Sequence, residues 1–228
     1  MESNKEYGVL ITANASSGGL YQYSFLILDA LNAVLKSEET VYVICFDSKI
    51  ASEINERYKK NVKVFVLARW KLTYHRFLDF LFGEFDFCRR ISMSISYLSS
   101  KMSEFDVDVW LFPNQDNVSS FHNGRKVVAV HDLMHRYEFR FAEVGGNKLR
   151  YVSREKRFRS ISKYASYILT DSTVGQSQFH DSYGTPIEKL LVLPYPAIRL
   201  PDSKGSLDVP KELIHLPCGK AFFYPAQF

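Results

Sequence analysis

The sequence predicts an α/β fold: a Rossmann-like, doubly wound, mostly parallel sheet. Short runs rich in β-branched and aromatic residues alternate with amphipathic stretches of helical period. Several of these runs are apolar on both faces, as strands covered on both sides are. Small and polar residues collect directly after the runs, where one rim of such a sheet would lie.

The first strand is Tyr7–Thr12, "YGVLIT". A small-residue turn follows, then a helix over Leu20–Leu35 whose apolar residues Leu20, Tyr23, Ile27, Leu31 and Val34 keep a helical period. Thr40–Phe46 is the second strand and Ile50–Tyr58 a short helix. Val62–Leu67 is the third strand, and a helix is expected over Cys88–Met102. Val107–Phe112 and Lys126–Val130 are the next strands, followed by a helix over Lys148–Ala165. Tyr167–Thr170 is a strand and Thr173–Tyr183 a well-punctuated helix. Asp171 and Ser172 can cap its start, Thr173 and Gln176 fit a capping box, and Gly184 with Pro186 ends it. Leu190–Leu193 is the last strand of this domain, expected to occupy residues 1–196.

The tail changes character. Five prolines fall within the 24 residues from Pro194 to Pro217, so residues 197–220 read as a linker. Ala221–Tyr224 looks like a strand, and 221–228 is expected to open a second sheet that the 228-residue chain does not complete.

Composition narrows the function classes. Hydrophobic residues make up 46%, ample for a packed core. The N-terminal "MESNKEYG" lacks the apolar run of a signal peptide, and no stretch approaches the ~18 apolar residues of a membrane span. Cys45, Cys88 and Cys218 are too few and too scattered for a disulfide framework or a zinc motif, so a cytoplasmic protein is expected. Net charge is a mild +4, and no nucleic-acid recognition motif is present, so nucleic acid is not an expected partner.

Ligands of an open α/β sheet sit beyond the carboxyl ends of the strands. That rule selects Ala15 to Gly19 after the first strand, Pro113 to Asn117 after the fourth, His131 and Asp132 after the fifth, and Asp171 and Ser172 after the sixth. The Gly18-Gly19 turn opens a helix, where backbone N–H groups and the helix dipole favour an anion. A plain tight turn capped by Ser16 or Ser17 is the other reading. The dinucleotide fingerprint G-x-G-x-x-G is absent. His131 can bond a sugar hydroxyl, act as acid or base, or simply be a structural histidine. His131 and His135 are four apart, but His131 ends a strand and no third ligand suggests itself, so no metal is expected.

Two stretches suggest surfaces. Arg69–Phe85 mixes Trp70 and other aromatics with basic residues. Asn147–Tyr164 carries seven basic residues against one acid, Glu155, while Tyr151, Phe158, Ile161 and Ala165 share a helix face. Core packing and a solvated face explain both stretches plainly. A basic amphipathic helix on an anionic membrane is the functional alternative, with Trp70, Arg154 and Arg157 as its contacts.

Taken in order, "SSGGLYQYSFLILDALNAV", "VVAVHDL" and "YASYILTDSTVGQSQFHDSYGTPIEKLLVLPYPA" resemble the N-terminal half of retaining, family-4-type GT-B glycosyltransferases. The resemblance covers nearly the whole chain. It implies sugar transfer from a nucleotide-sugar to a glycan or lipid-linked acceptor with retention, without metal or other cofactor, in cell-surface polysaccharide or lipopolysaccharide synthesis. It makes this the acceptor-side domain, at or near the inner face of the membrane. Gly18 and Gly19 match the turn that approaches the donor phosphates, and His131 the histidine that contacts the donor sugar. His131 and Asp132 stand as catalytic candidates, and Tyr21, Asn114 and Ser172 as acceptor or sugar contacts. Tyr21 and Asn114 rest on rim position alone.

The family's second domain binds the nucleotide and carries a basic residue and an E-x7-E pair. A chain ending at Phe228 is expected to lack them and to be inactive alone. The rival reading is a non-catalytic binding domain, or a subunit that docks a separate donor-binding partner.

Overall fold

The structure is a computed structural model, and it describes residues 5–58, 60–82, 86–140 and 148–195. The expected linker and the final strand lie outside these residues. Among those described, seven strands form one sheet, all parallel, in the order β3-β2-β1-β4-β5-β6-β7. The strands are β1 Glu6–Ile11, β2 Thr40–Cys45, β3 Val62–Val66, β4 Val109–Phe112, β5 Lys126–Val130, β6 Tyr167–Thr170 and β7 Leu190–Val192. The chain builds outward from β1 to β3, returns to place β4 against β1, and then builds the other way. The expected doubly wound class is therefore the observed one, with its switch point between β1 and β4.

Period-two side chains explain why both faces need helices. Val9 and Ile11 of β1 and Val41 and Val43 of β2 pack with Phe25 and Leu28 of helix α1 (Gly19–Val34) and Ile50 and Ile54 of helix α2 (Ser48–Arg57). Leu10, Ile44, Trp110 and Phe112 point to the opposite face. There they meet Leu72 of α3 (Arg69–Phe82) and Leu98 of α5 (Tyr97–Ser103). Phe158 of α7 (Lys148–Tyr164) and Phe179 of α8 (Thr173–Tyr183) complete that layer. Two short helices, α4 (Asp86–Ile95) and α6 (Met134–Tyr137), join these.

Local chemistry moves two expectations. The single helix expected over Cys88–Met102 is broken at Ser96, whose hydroxyl accepts the Ser99 N–H and starts α5. Ser172 caps α8 through Gly175 N–H, and Gly184 ends it in the left-handed region at φ 63°. The expected capping box does not form: Gln176 instead donates to the Leu190 carbonyl at 2.7 Å and ties α8 to β7.

Candidate functional site

The switch point is held by Asn114, in the loop after β4. Its Oδ1 accepts the Thr12 and Ala13 N–H groups at 3.0 and 3.2 Å, and its Nδ2 donates to the Leu20 carbonyl and Ser24 hydroxyl at 3.3 Å. Asn114 is 4% exposed. Its amide is committed to joining β1, β4 and α1, so it positions the rim rather than meeting a sugar. Asp116, two residues on, accepts from the Thr12 hydroxyl and from Arg76.

At the head of α1, Asn14 and Ser17 satisfy each other, and the Ser16 and Ser17 hydroxyls both donate to Asn14 Oδ1. Neither serine caps α1, contrary to the simpler reading of the turn. Gly18 is the cap residue, with φ 54° and ψ −121°, a region open essentially to glycine. Among the described residues no side chain caps α1, which leaves its N-terminal N–H groups to solvent or a ligand. A Cβ on Gly19 would meet nothing within 4 Å, so packing does not demand glycine there.

Tyr21 turns away from the rim: its hydroxyl donates to Glu53 of α2 and its ring packs on Phe25. The aromatic that reaches the rim is Tyr23, edge-on to His131 at 4.7 Å. Its buried place in the apolar stripe of α1 hid it in the sequence, where it counted as core.

His131 Nε2 lies 2.8 Å from the Pro113 carbonyl, which can only accept, so Nε2 carries the proton. Nδ1 then accepts from the Tyr195 hydroxyl. Burial holds the imidazole's pKa below its ordinary value, despite the carbonyl and nearby Asp132 and Asp171. Burial likewise pushes Tyr195 up to about 12, with Asp171 and Asp132 adding to the rise, so it remains a donor. His131 is thus neutral near pH 7, with one nitrogen fixed and the other accepting a hydroxyl.

Asp132 is fully engaged. Oδ1 accepts the Met134 N–H at 3.1 Å and faces Arg154 at 3.8 Å, while Oδ2 accepts from Gln115. Ser172 donates to Asp171 while it caps α8. His131, Asp132, Asp171 and Ser172 line one cleft of about 190 Å³ at the ends of β5 and β6.

The residues assigned to a membrane face separate. Trp70 is 64% exposed. Arg154, however, pairs with Asp132, and Arg157 turns inward to line a cleft between α3 and α7. The lone acid of α7, Glu155, is buried, as its neighbours require. It accepts two hydrogen bonds from Arg136 at 2.6 Å and faces His135 at 2.9 Å and Tyr183 at 3.1 Å. Burial alone would raise its pKa, but these partners hold it down to about 2. His135 is therefore bound into a network that fastens α6 to α7 and α8, while His131 faces Pro113 and Tyr195. A single acid among seven bases was the available sequence signal for this network.

These features define a doubly wound α/β domain with a cleft at its carboxyl edge and, among the described residues, a helix without a side-chain cap at its switch point. No family model matches the chain, and no curated protein does. Among solved structures it is similar to Alr3699/HepE of Anabaena in complex with UDP, at TM-score 0.47 and 13% identity over 83% of this chain and 43% of that one. It is also similar to the apo form of the lipopolysaccharide outer core galactosyltransferase WaaB, at TM-score 0.44 and 12% identity over 84% of this chain and 46% of that one. The chain thus spans less than half the length of either. Among the described residues, no helix is long and apolar enough to cross a membrane.

Proposed function

We propose that this domain is the acceptor-side part of a glycosyltransferase. It would serve transfer of a hexose from a nucleotide-sugar to a glycan or lipid-linked acceptor, with retention, in cell-surface polysaccharide or lipopolysaccharide synthesis. The observation that carries the reading is the uncapped head of α1 beside a neutral histidine whose Nδ1 accepts a hydroxyl. Gly18 gives the turn its shape, and Gly19 leaves open space at the N–H groups that suit a diphosphate. His131 offers Nδ1 to a sugar hydroxyl. With Nε2 bound to a carbonyl and burial disfavouring its cation, it serves better as a hydrogen-bond acceptor than as an acid. Asp132 holds Gln115 and Arg154 in place and so acts as a positioning residue. No metal or other cofactor enters the reading.

Titration with UDP and UDP-glucose, followed by calorimetry or ligand-observed NMR, tests it. Binding that Gly19→Val abolishes without unfolding the protein is the expected result. Unchanged binding in that variant, or none in the wild type, would remove the basis of the reading.

A further inference from the structure

The cleft between α3 and α7 has a volume of about 350 Å³, larger than the rim cleft and within the range of small-ligand sites. Arg76 on its wall pairs with Asp116 at 2.7 Å, so the cleft is tied to the switch-point loop. Five of its lining residues are basic, against one carboxylate, Asp79.

The cations differ in how they are held. Besides Arg76, Lys163 pairs with Asp86 at 2.9 Å, Arg159 lies 3.6 Å from Glu155, and Lys156 sits 5.2 Å over the Phe80 ring. Arg157 is the exception. Its Nε is buried without a hydrogen-bond partner. The Ser160 hydroxyl, one turn along on the same helix face, is also buried and unpartnered. A buried donor without an acceptor is costly, and a buried cation more so.

Burial depresses the Arg157 guanidinium and raises the Asp79 carboxyl to about 7, although the Ser120 hydroxyl, Arg157 and Lys156 all pull Asp79 down. With its pKa raised in this way, Asp79 opposes an anion less than an ordinary carboxylate would. The excess of basic groups suits a doubly charged oxyanion better than a carboxylate. Phosphoryl oxygens match the planar donor fork of arginine together with a serine hydroxyl.

We infer that the α3–α7 cleft binds a phosphoryl group, held by Arg157 and Ser160, on the acceptor side of the reaction. Its place on the acceptor side rests on the function proposed above. The anion site itself does not. The phosphoryl group can come from a soluble phosphate ester or from a lipid headgroup.

The test titrates the full chain with inorganic pyrophosphate and glycerol 3-phosphate. In parallel, it measures retention on phosphatidylcholine vesicles with and without phosphatidic acid. Arg157→Gln is expected to weaken phosphate binding by ~10-fold or more, and Ser160→Ala by ~3-fold. Gly19→Val, which addresses the head of α1, should leave this binding intact. If Arg157→Gln does not fold, Ser160→Ala and Arg157→Lys carry the comparison. Arg157-dependent retention on phosphatidic acid vesicles alone would assign the group to a lipid, and Arg157-dependent binding of the soluble esters to a soluble acceptor. Phosphate binding that ignores both Arg157 and Ser160, or no binding of any probe, overturns the inference. UDP binding lost in Gly19→Val but kept in Arg157→Gln leaves the proposed function standing whatever this cleft does. Arg157-dependent phosphate binding without any UDP binding does the reverse.

Discussion

The Tyr195 hydroxyl donates a hydrogen bond to Nδ1 of His131, and the two rings lie stacked with centroids 5.8 Å apart. Tyr195 therefore occupies the position that the proposed function gives to a sugar hydroxyl. Tyr195→Phe removes the competitor and keeps the ring that packs on Tyr23. The expected outcome is tighter binding of UDP-glucose, by ~3- to 10-fold, with UDP unchanged, since in the proposed function only the sugar meets Nδ1. The lost hydrogen bond should cost about 1 kcal/mol of stability. Equal effects on both ligands in paired titrations would detach His131 from the sugar.

The two glycines of the turn should separate in stability measurements. Gly18→Ala forces a side chain into a backbone region with φ 54° and ψ −121°, and should cost roughly 1–3 kcal/mol in denaturant unfolding. Gly19→Val points into open space and should change stability by less than about 1 kcal/mol, since valine is no worse a helix former than glycine. If both variants unfold alike, Gly19 serves the fold and its openness is not a ligand's doing.

Much of this was legible. The strand runs and the caps of α8 follow from β-branched patterning and from Ser172 and Gly184, which are local signals. The rim residues were legible as positions but not as roles. Asn114 lies where the carboxyl-edge rule places it, yet that amide holds two strands and a helix whose adjacency the sequence does not encode. Tyr21 and Tyr23 are two residues apart and so face different ways on α1, and spacing alone could not say which faced His131. Arg157 was read as a surface cation because composition does not distinguish the outward face of a basic helix from a face lining a cleft.

Gly8 is a further case of a non-local demand. A Cβ there would run into the Trp110 indole on the neighbouring strand, and Trp110 is wholly buried. Gly8→Ala should destabilise the domain by roughly 1–3 kcal/mol or more, the range for overpacking a rigid core. Gly8→Ala combined with Trp110→Leu should recover part of the loss, beyond the sum of the single changes. Additive effects in a double-mutant cycle would show that the contact does not set the cost.

Stability should fall on mild acidification because of His75. Burial lowers its pKa to about 4, with Asp116 and Arg76 exerting smaller, opposing effects, and its Nδ1 meets the Ser96 hydroxyl at 2.6 Å. The folded pKa lies below the unfolded value of about 6.5, so the unfolded chain takes up the proton first. Stability is full above pH ~6.5 and declines until pH falls to about 4. At pH 4.5 the loss from this group is about 2–3 kcal/mol. His75→Gln can keep a bond to Ser96 and does not titrate, so its unfolding free energy should change less between pH 7 and 4.5. Identical pH slopes for the two proteins would assign the loss elsewhere. Glu155 adds a separate step: its depressed pKa keeps its contribution intact above ~4.5 and loses it as pH falls toward about 2.

The outer faces of α3 and α4 offer a test of membrane contact on a surface other than the basic helix. Trp70, Tyr74, Phe77 and Leu81 recur at helical spacing along α3, and Phe87, Ile91 and Ile95 along α4, all exposed. Soluble surfaces rarely gather this many large apolar side chains on adjoining helices. Nearby Lys71, over the Tyr97 ring, supplies positive charge, as a contact with anionic lipid requires. Phe77→Ser with Phe87→Ser should reduce retention on anionic vesicles by at least ~10-fold, because each removes an apolar ring from the interface. The substitution should leave unfolding nearly unchanged, since neither side chain is buried in the domain. Arg154→Gln should not alter retention, because Arg154 is held beside Asp132 rather than offered to a surface. Retention that depends on Arg154 and ignores the two phenylalanines would return the contact to the basic helix and overturn this assignment.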